Sequence, residues 1–283
     1  MEYDCKAPAQ VAAEWNENIC VKKTTNHWFK LLVLGILAGA YIGFGGEISN
    51  MIGHDAATFV GVGLAAFIKG AVFSVGLMLV VIAGAELFTG NTMITMSVLD
   101  GKSKLGGLLY NWSIVYVANL IGSLLVAYIM FGTGLLEGPN VAVGAAALKT
   151  AAGKASLAFW PAFFRGIMCN WLVCLAVWMA LASRQIIGKI FAIFFPIMGF
   201  VALSFEHSVA NMYFIPTGLF LKDIFGVAAP AGADPASLSW VGFLWKNLLP
   251  VTIGNIIGGA VFVGMSYWSA YLRPAAPVRT AGK

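Results

Sequence analysis

The sequence predicts an all-α polytopic membrane protein: six transmembrane helices in an inverted 3+3 repeat, with broken second and fifth helices. Three observations carry that prediction: a shortage of charge, six long apolar regions, and two pairs of matching segments. The chain has 283 residues, 60% hydrophobic and 10% charged, with a mean hydropathy of +0.85. Soluble domains carry roughly a quarter charged residues. Here 17 basic and 12 acidic side chains are too few to cover a soluble protein of 30.0 kDa. A soluble enzyme, a disordered chain and a nucleic-acid binder are thereby excluded. The net charge of +5 does not reverse this, because the basic residues are scattered through short loops. The 33 glycines fit transmembrane helices that pack closely.

The four cysteines, Cys5, Cys20, Cys169 and Cys174, form neither a CxxC nor a Cys/His metal spacing. They read as unpaired thiols, and no metal or cofactor is expected. The first 30 residues are polar, with no apolar stretch of signal-peptide type. Residues 10–28 predict an amphipathic helix on the cytoplasmic surface, within an N-terminal segment 1–29. A six-helix transmembrane domain over 30–272 and a disordered cytoplasmic tail over 273–283 complete the expected organisation.

A crossing helix needs about 20 apolar residues. The uncharged run between Lys30 and Glu47 supplies the first span. Charge-free runs at 105–136, 166–183 and 247–272 supply the third, fourth and sixth. Residues 70–99 and 190–221 differ, each being too long for one untilted crossing and too short for two. Each also carries a polar interruption, AELFTGNT in one and FEHSVANM in the other. Both read as two half-helices joined by a loop. With a cytoplasmic N-terminus, eleven of the 17 basic residues fall on the cytoplasmic side. Both termini are therefore expected inside.

The third and sixth spans match: NWSIVYVANLIGS at 111–123 and NLLPVTIGNIIGG at 247–259 place Asn111 and Asn119 against Asn247 and Asn255. The breaks match in kind, Glu86 leading to Asn91 and Glu206 to Asn211. Three spans per half is an odd number, so the halves insert with opposite topology, as in many transport folds.

Irregular backbone at membrane depth survives only in protein or beside a water-filled cavity. Each break starts a new helix whose free N–H groups gather partial positive charge. Two breaks facing each other suit a small anion. Thr89 offers a hydroxyl at the first break, and His207 is the histidine at the second. His207 titrates near neutral pH and can lend a proton to a weak-acid anion, reducing the cost of burying it; its bland alternative is a structural histidine bonded within the break. Glu86 and Glu206 read either as functional intramembrane acids or as caps of the free amides. Repulsion between a bare carboxylate and an anion favours capping, with Asn91 and Asn211 as further support of the breaks. Phe73, Leu77 and Phe200 read from spacing alone as core or lipid contacts.

Together these segments resemble the formate/nitrite transporter family over roughly residues 10–272. The matching pieces are FSVGL (73–77), AELFTGNTM (85–93), CNWLVCLAVWMA (169–180), SFEHSVANMYFIPTG (204–218) and PVTIGNIIGG (250–259). The resemblance implies an aquaporin-like protomer assembled as a homopentamer in the lipid bilayer, each copy with its own pore. It implies that Thr89 lies in the loop of the broken second helix and that His207 is the central histidine. Phe73 and Phe200 match an outer constriction; Leu77, Leu87 and Phe88 match an inner one. Lys154 and Asn170 match a lysine and an asparagine flanking the outer approach, where the lysine would concentrate anions. The expected activity is transport of small monovalent anions, formate or nitrite first. Hydrosulfide is the alternative, because the TGNT loop differs from serine-rich forms. A water or glycerol channel would carry paired Asn-Pro-Ala motifs, which the sequence lacks, and no nucleophile-base set marks an enzyme.

Overall fold

The computed structural model describes residues 5–136, 141–223, 236 and 238–273. Its described residues contain no strand, only an isolated bridge between Cys5 and Ser183. Helix α1 covers residues 8–25, with Pro8 pre-set at its first turn and a wider π turn at Trp15–Cys20. Then follow α2 (Trp28–Gly53), α3 (Ala56–Gly84), α4 (residues 88–99) and α5 (Leu105–Gly132). The second half runs α6 (Val141–Ala155), α7 (Phe159–Ala182), α8 (Ile186–Ala202), α9 (Ser208–Asp223) and α10 (Gly242–Tyr271). Helices α2, α3, α5, α7 and α10 are long and apolar enough to cross a membrane; α8 is shorter, at 17 residues.

Several helices start earlier than the sequence predicts. Charge-free runs mark only the apolar centre of a span, and α7 and α10 enclose Arg165 and Lys246 within their first two turns. Helix α3 begins at Ala56 rather than near residue 70 and is interrupted at Gly61, whose φ of +78° only glycine adopts without strain. Helix α6 is not predicted at all, since its alanine-glycine composition lacks an apolar stripe. The tail beyond Arg273 lies outside the described residues.

Two close crossings organise the bundle. A side chain at Gly39 would strike the Asn119 carbonyl, and one at Gly122 the Ile36 carbonyl, so α2 and α5 meet backbone to backbone. Gly254 and Gly258 of α10 meet the Phe163 and Ile167 carbonyls of α7 in the same way. Small residues at such crossings replace the hydrophobic driving force that lipid does not provide. Helix α1 buries Val11, Ala12, Trp15 and Cys20 against Met93, Ile94, Met96 and Val263. Burial pushes the Cys20 thiol up to about 12, leaving it a packing group. Asn16 donates to Asp100 at 2.7 Å, and Glu17 pairs with Lys102 and holds its amine above the ordinary lysine range. The N-terminal segment is thereby tied to the loop after α4.

Candidate functional site

Helices α3 and α8 both stop on a residue in the left-handed region, Gly84 (φ +89°) and Ser204 (φ +56°). Extended backbone follows at Ala85 and Leu87, after which α4 starts. The two breaks are then held by the same wiring. In the first, Lys23 donates to Glu86 Oε2 at 2.7 Å, and Asn91 donates to Glu86 at 2.7 Å and to Asn111 at 2.8 Å. Asn111 donates back to the Lys23 carbonyl at 3.0 Å. In the second, Lys154 donates to Glu206 Oε1 at 2.9 Å, and Asn211 donates to Glu206 and to Asn247, both at 2.7 Å. Asn247 donates to the Lys154 carbonyl at 2.9 Å.

The capping role expected of the glutamates belongs to other residues. Asn119 Oδ1 accepts the Phe88 N–H at 2.9 Å, and Asn255 Oδ1 accepts the Ser208 N–H at 2.8 Å. Each asparagine also donates to two carbonyls: Gly35 and Glu86 for Asn119, Gly166 and Glu206 for Asn255. A carboxylate is better matched by a lysine than by a neutral amide, whereas an amide side chain both accepts and donates. This explains the asparagines that the internal match picks out. Lys23, which the sequence does not distinguish from other basic residues, is the counterpart of Lys154.

Thr89 and His207 meet at the centre, with Oγ1 and Nε2 2.8 Å apart and both residues buried. His207 Nδ1 accepts the Ala210 N–H at 3.1 Å. The ring proton of the neutral imidazole therefore sits on Nε2 and is donated to Thr89 Oγ1. That leaves the threonine's own hydroxyl proton free for another acceptor. Phe73 and Phe200 lie edge to face with centroids 5.7 Å apart, and the Phe200 ring stacks over His207 at 6.0 Å. Leu77, Leu87, Phe73, Phe200 and His207 border a void of about 10 Å³. A space of that size holds about one water.

A cavity opens on each side of this constriction. One, of about 360 Å³, is lined by Lys69, Lys149, Lys154, Arg165, Glu206, His207 and both phenylalanines. The other, of about 250 Å³, lies beside α1 and is lined by Lys23, Lys189, Leu77, Leu87 and Gly90. Two expected site residues lie elsewhere. The Phe88 ring packs on Trp112 (5.8 Å) and Tyr116 (4.8 Å) and faces a lateral groove between α5 and α10. Asn170 is buried and lines neither cavity; it donates to Thr89 O (3.1 Å), Thr92 Oγ1 (3.0 Å) and Asn255 O (2.6 Å). Among the described residues no cluster of His, Cys, Asp and Glu is arranged to hold a metal.

Membrane-length helices enclosing two charged cavities on either side of a narrow buried polar contact define a membrane transport protein rather than an enzyme. The chain belongs to the formate/nitrite transporter family, whose model matches residues 10–269. It is 48% identical over 259 residues to a probable formate transporter of Methanothermobacter thermautotrophicus, covering 86% of this chain and 89% of that one. It is 39% identical to the formate channel FocA of Escherichia coli K12, with 96% of each chain covered. Among solved structures it is similar to a pentameric formate channel with formate bound, at a TM-score of 0.76 and 37% identity, covering 87% of this chain and 98% of that one.

Proposed function

We propose that the chain crosses the inner membrane six times with both termini in the cytoplasm, as a homopentamer passing small monovalent anions. Formate or nitrite comes first and hydrosulfide next. Helices α8 and α9 together make the fifth crossing, as α3 and α4 make the second, and the halves 1–136 and 141–273 insert with opposite topology. The six-helix channel covers residues 30–272, preceded by a cytoplasmic segment at 1–29. The cavity beside α1 is then the inner vestibule and the cavity beside α6 the outer one.

The single observation that carries the reading is the Thr89–His207 contact, set behind Phe73 and Phe200 and between the two cavities. An anion drawn past Lys154 meets the Thr89 hydroxyl proton, which has no acceptor of its own, and the Nε2–H of His207 beside it. Two neutral donors bind a small oxyanion without a buried opposite charge that would hold it too firmly to leave. Leu77 and Leu87 narrow the path towards the inside. Asn170 supports the site from behind, fixing the backbone at Thr89 and Asn255, and Phe88 wedges the first break against α5. Transfer of a proton to the anion requires more: His207 reaches its cationic form only when Nδ1 releases the Ala210 N–H and takes up a proton.

The test is uptake of formate, nitrite, hydrosulfide, lactate and water by proteoliposomes at two pH values. The expected outcome is anion flux that His207→Phe abolishes while the oligomer stays intact in size-exclusion chromatography. Passage of water or glycerol with all anions excluded would overturn the reading. Unchanged selectivity and pH dependence in His207→Phe would remove the proton-transfer role.

A further inference from the structure

The outer vestibule carries more free positive charge than the wiring of the second break uses. Of the four cations lining it, Lys154 is engaged by Glu206 at 2.9 Å. The side chains of Lys69, Lys149 and Arg165 make no hydrogen bond or ion pair with any described residue. Lys69 stands one helical turn before Phe73 on α3, on the same face. Its stem lies across Gly53 of α2, where an added Cβ would collide with the lysine methylenes, so the amine is directed by packing. Arg165 is fixed by its own backbone, because its carbonyl accepts the Glu206 N–H at 3.3 Å. Asn50, only 7% exposed, lines the same cavity and keeps an amide nitrogen with no hydrogen-bond partner. Glu47, one turn before Asn50, accepts the Tyr213 hydroxyl with one carboxylate oxygen and has the Asn50 amide as its other polar neighbour.

We propose that this vestibule is a binding site for divalent oxyanions of sulfate type, held by Lys69, Arg165 and Lys149 with Asn50 as a neutral donor, and that its occupancy blocks the pore. The guanidinium presents two parallel N–H groups to a pair of oxygens, and the ammonium supplies a point charge opposite. The vestibule of about 360 Å³ accepts a four-oxygen ion, whereas the void beyond the phenylalanines is about 10 Å³. Desolvation opposes passage as well, since its cost rises steeply with ionic charge. A divalent ion is thus retained where the cavity is still wet. The blocking part rests on the reading that the path runs between Phe73 and Phe200; the binding part does not.

Two measurements separate these parts. Equilibrium binding of radiolabelled sulfate to the purified full chain at low ionic strength should reveal one saturable site per chain. Lys69→Met with Arg165→Met should weaken it by about tenfold or more, and Lys149→Met, at an exposed position, by about threefold. Formate uptake by proteoliposomes should fall when sulfate is present on both faces, relative to chloride at equal ionic strength. With each variant normalised to its own sulfate-free rate, the inhibition should vanish in the double variant and persist in Lys189→Met of the inner vestibule. No saturable binding, binding equal in wild type and double variant, or passage of sulfate itself would overturn the proposal. Charge-dependent sulfate binding by a preparation that passes no formate would sink the transport reading and leave the binding site standing.

Discussion

The two helix breaks share a frame and differ in what the frame presents. Counted from Glu86 and Glu206, Asn91 corresponds to Asn211 and Gly84 to Ser204, and Lys–Glu–Asn–Asn hydrogen bonds repeat with distances within 0.2 Å of one another. By the same count Leu87 is the counterpart of His207, and Thr89 that of Val209. At these two positions each break therefore carries one polar and one apolar residue, in exchanged order. The hydrogen bond joining the breaks runs between non-equivalent residues. The symmetric part holds the backbone of both breaks in place, and the asymmetric part supplies the contact that the proposed function uses.

That division is open to attack, beginning with the largest effect. Asn119→Ala and Asn255→Ala each remove a side chain making three buried hydrogen bonds. Each should destabilise the protein by about 3 kcal/mol or more, because the stranded groups have no water to turn to. Thermal unfolding in detergent should show similar losses for the two, and a much smaller loss at one would break the equivalence. Next come Lys23→Met and Lys154→Met, which leave a buried glutamate with only its asparagine donor. Both lysines keep some exposure, 15% and 18%, so each loss should be about 1–2 kcal/mol. Glu86→Gln should rescue the first and Glu206→Gln the second, with no rescue across breaks. The smallest effect concerns the left-handed residues. Ser204→Gly should stabilise by about 0.5–1 kcal/mol and Gly84→Ala should destabilise by about 1 kcal/mol, since only one break starts from glycine.

Much of this was legible in the sequence because membrane burial is expensive. An apolar run of membrane length has few alternatives, so the long helices and both interruptions stand out. Thr89 and His207 follow, as polar residues at interruptions have to be explained. The paired asparagines were visible as a repeat, although their work as amide caps was not, because a hydrogen-bond partner more than thirty residues away leaves no local trace. Helix α6 escaped for the opposite reason: its residues favour helix by intrinsic propensity, but their pattern marks no face. Lys23 and the cations around Lys69 were hidden among ordinary positive charges. Side-chain direction distinguishes them, and it depends on packing. The displacement of Phe88 and Asn170 from their expected places is of the same kind, since neighbours along one helix turn to different surfaces.

The Thr89–His207 bond links residues 118 positions apart, and its effect reaches beyond holding two loops together. The His207 Nε2–H is satisfied by the Thr89 oxygen while the threonine's own proton is left over, so the pair is closed on one side only. Under the proposed function an arriving ion gains the free Thr89 proton outright, but it wins the His207 N–H only by displacing the threonine oxygen. In that reading, attraction at the centre is kept shallow and departure quick. A receptor would be weakened by such an internal rival; a conduit depends on one.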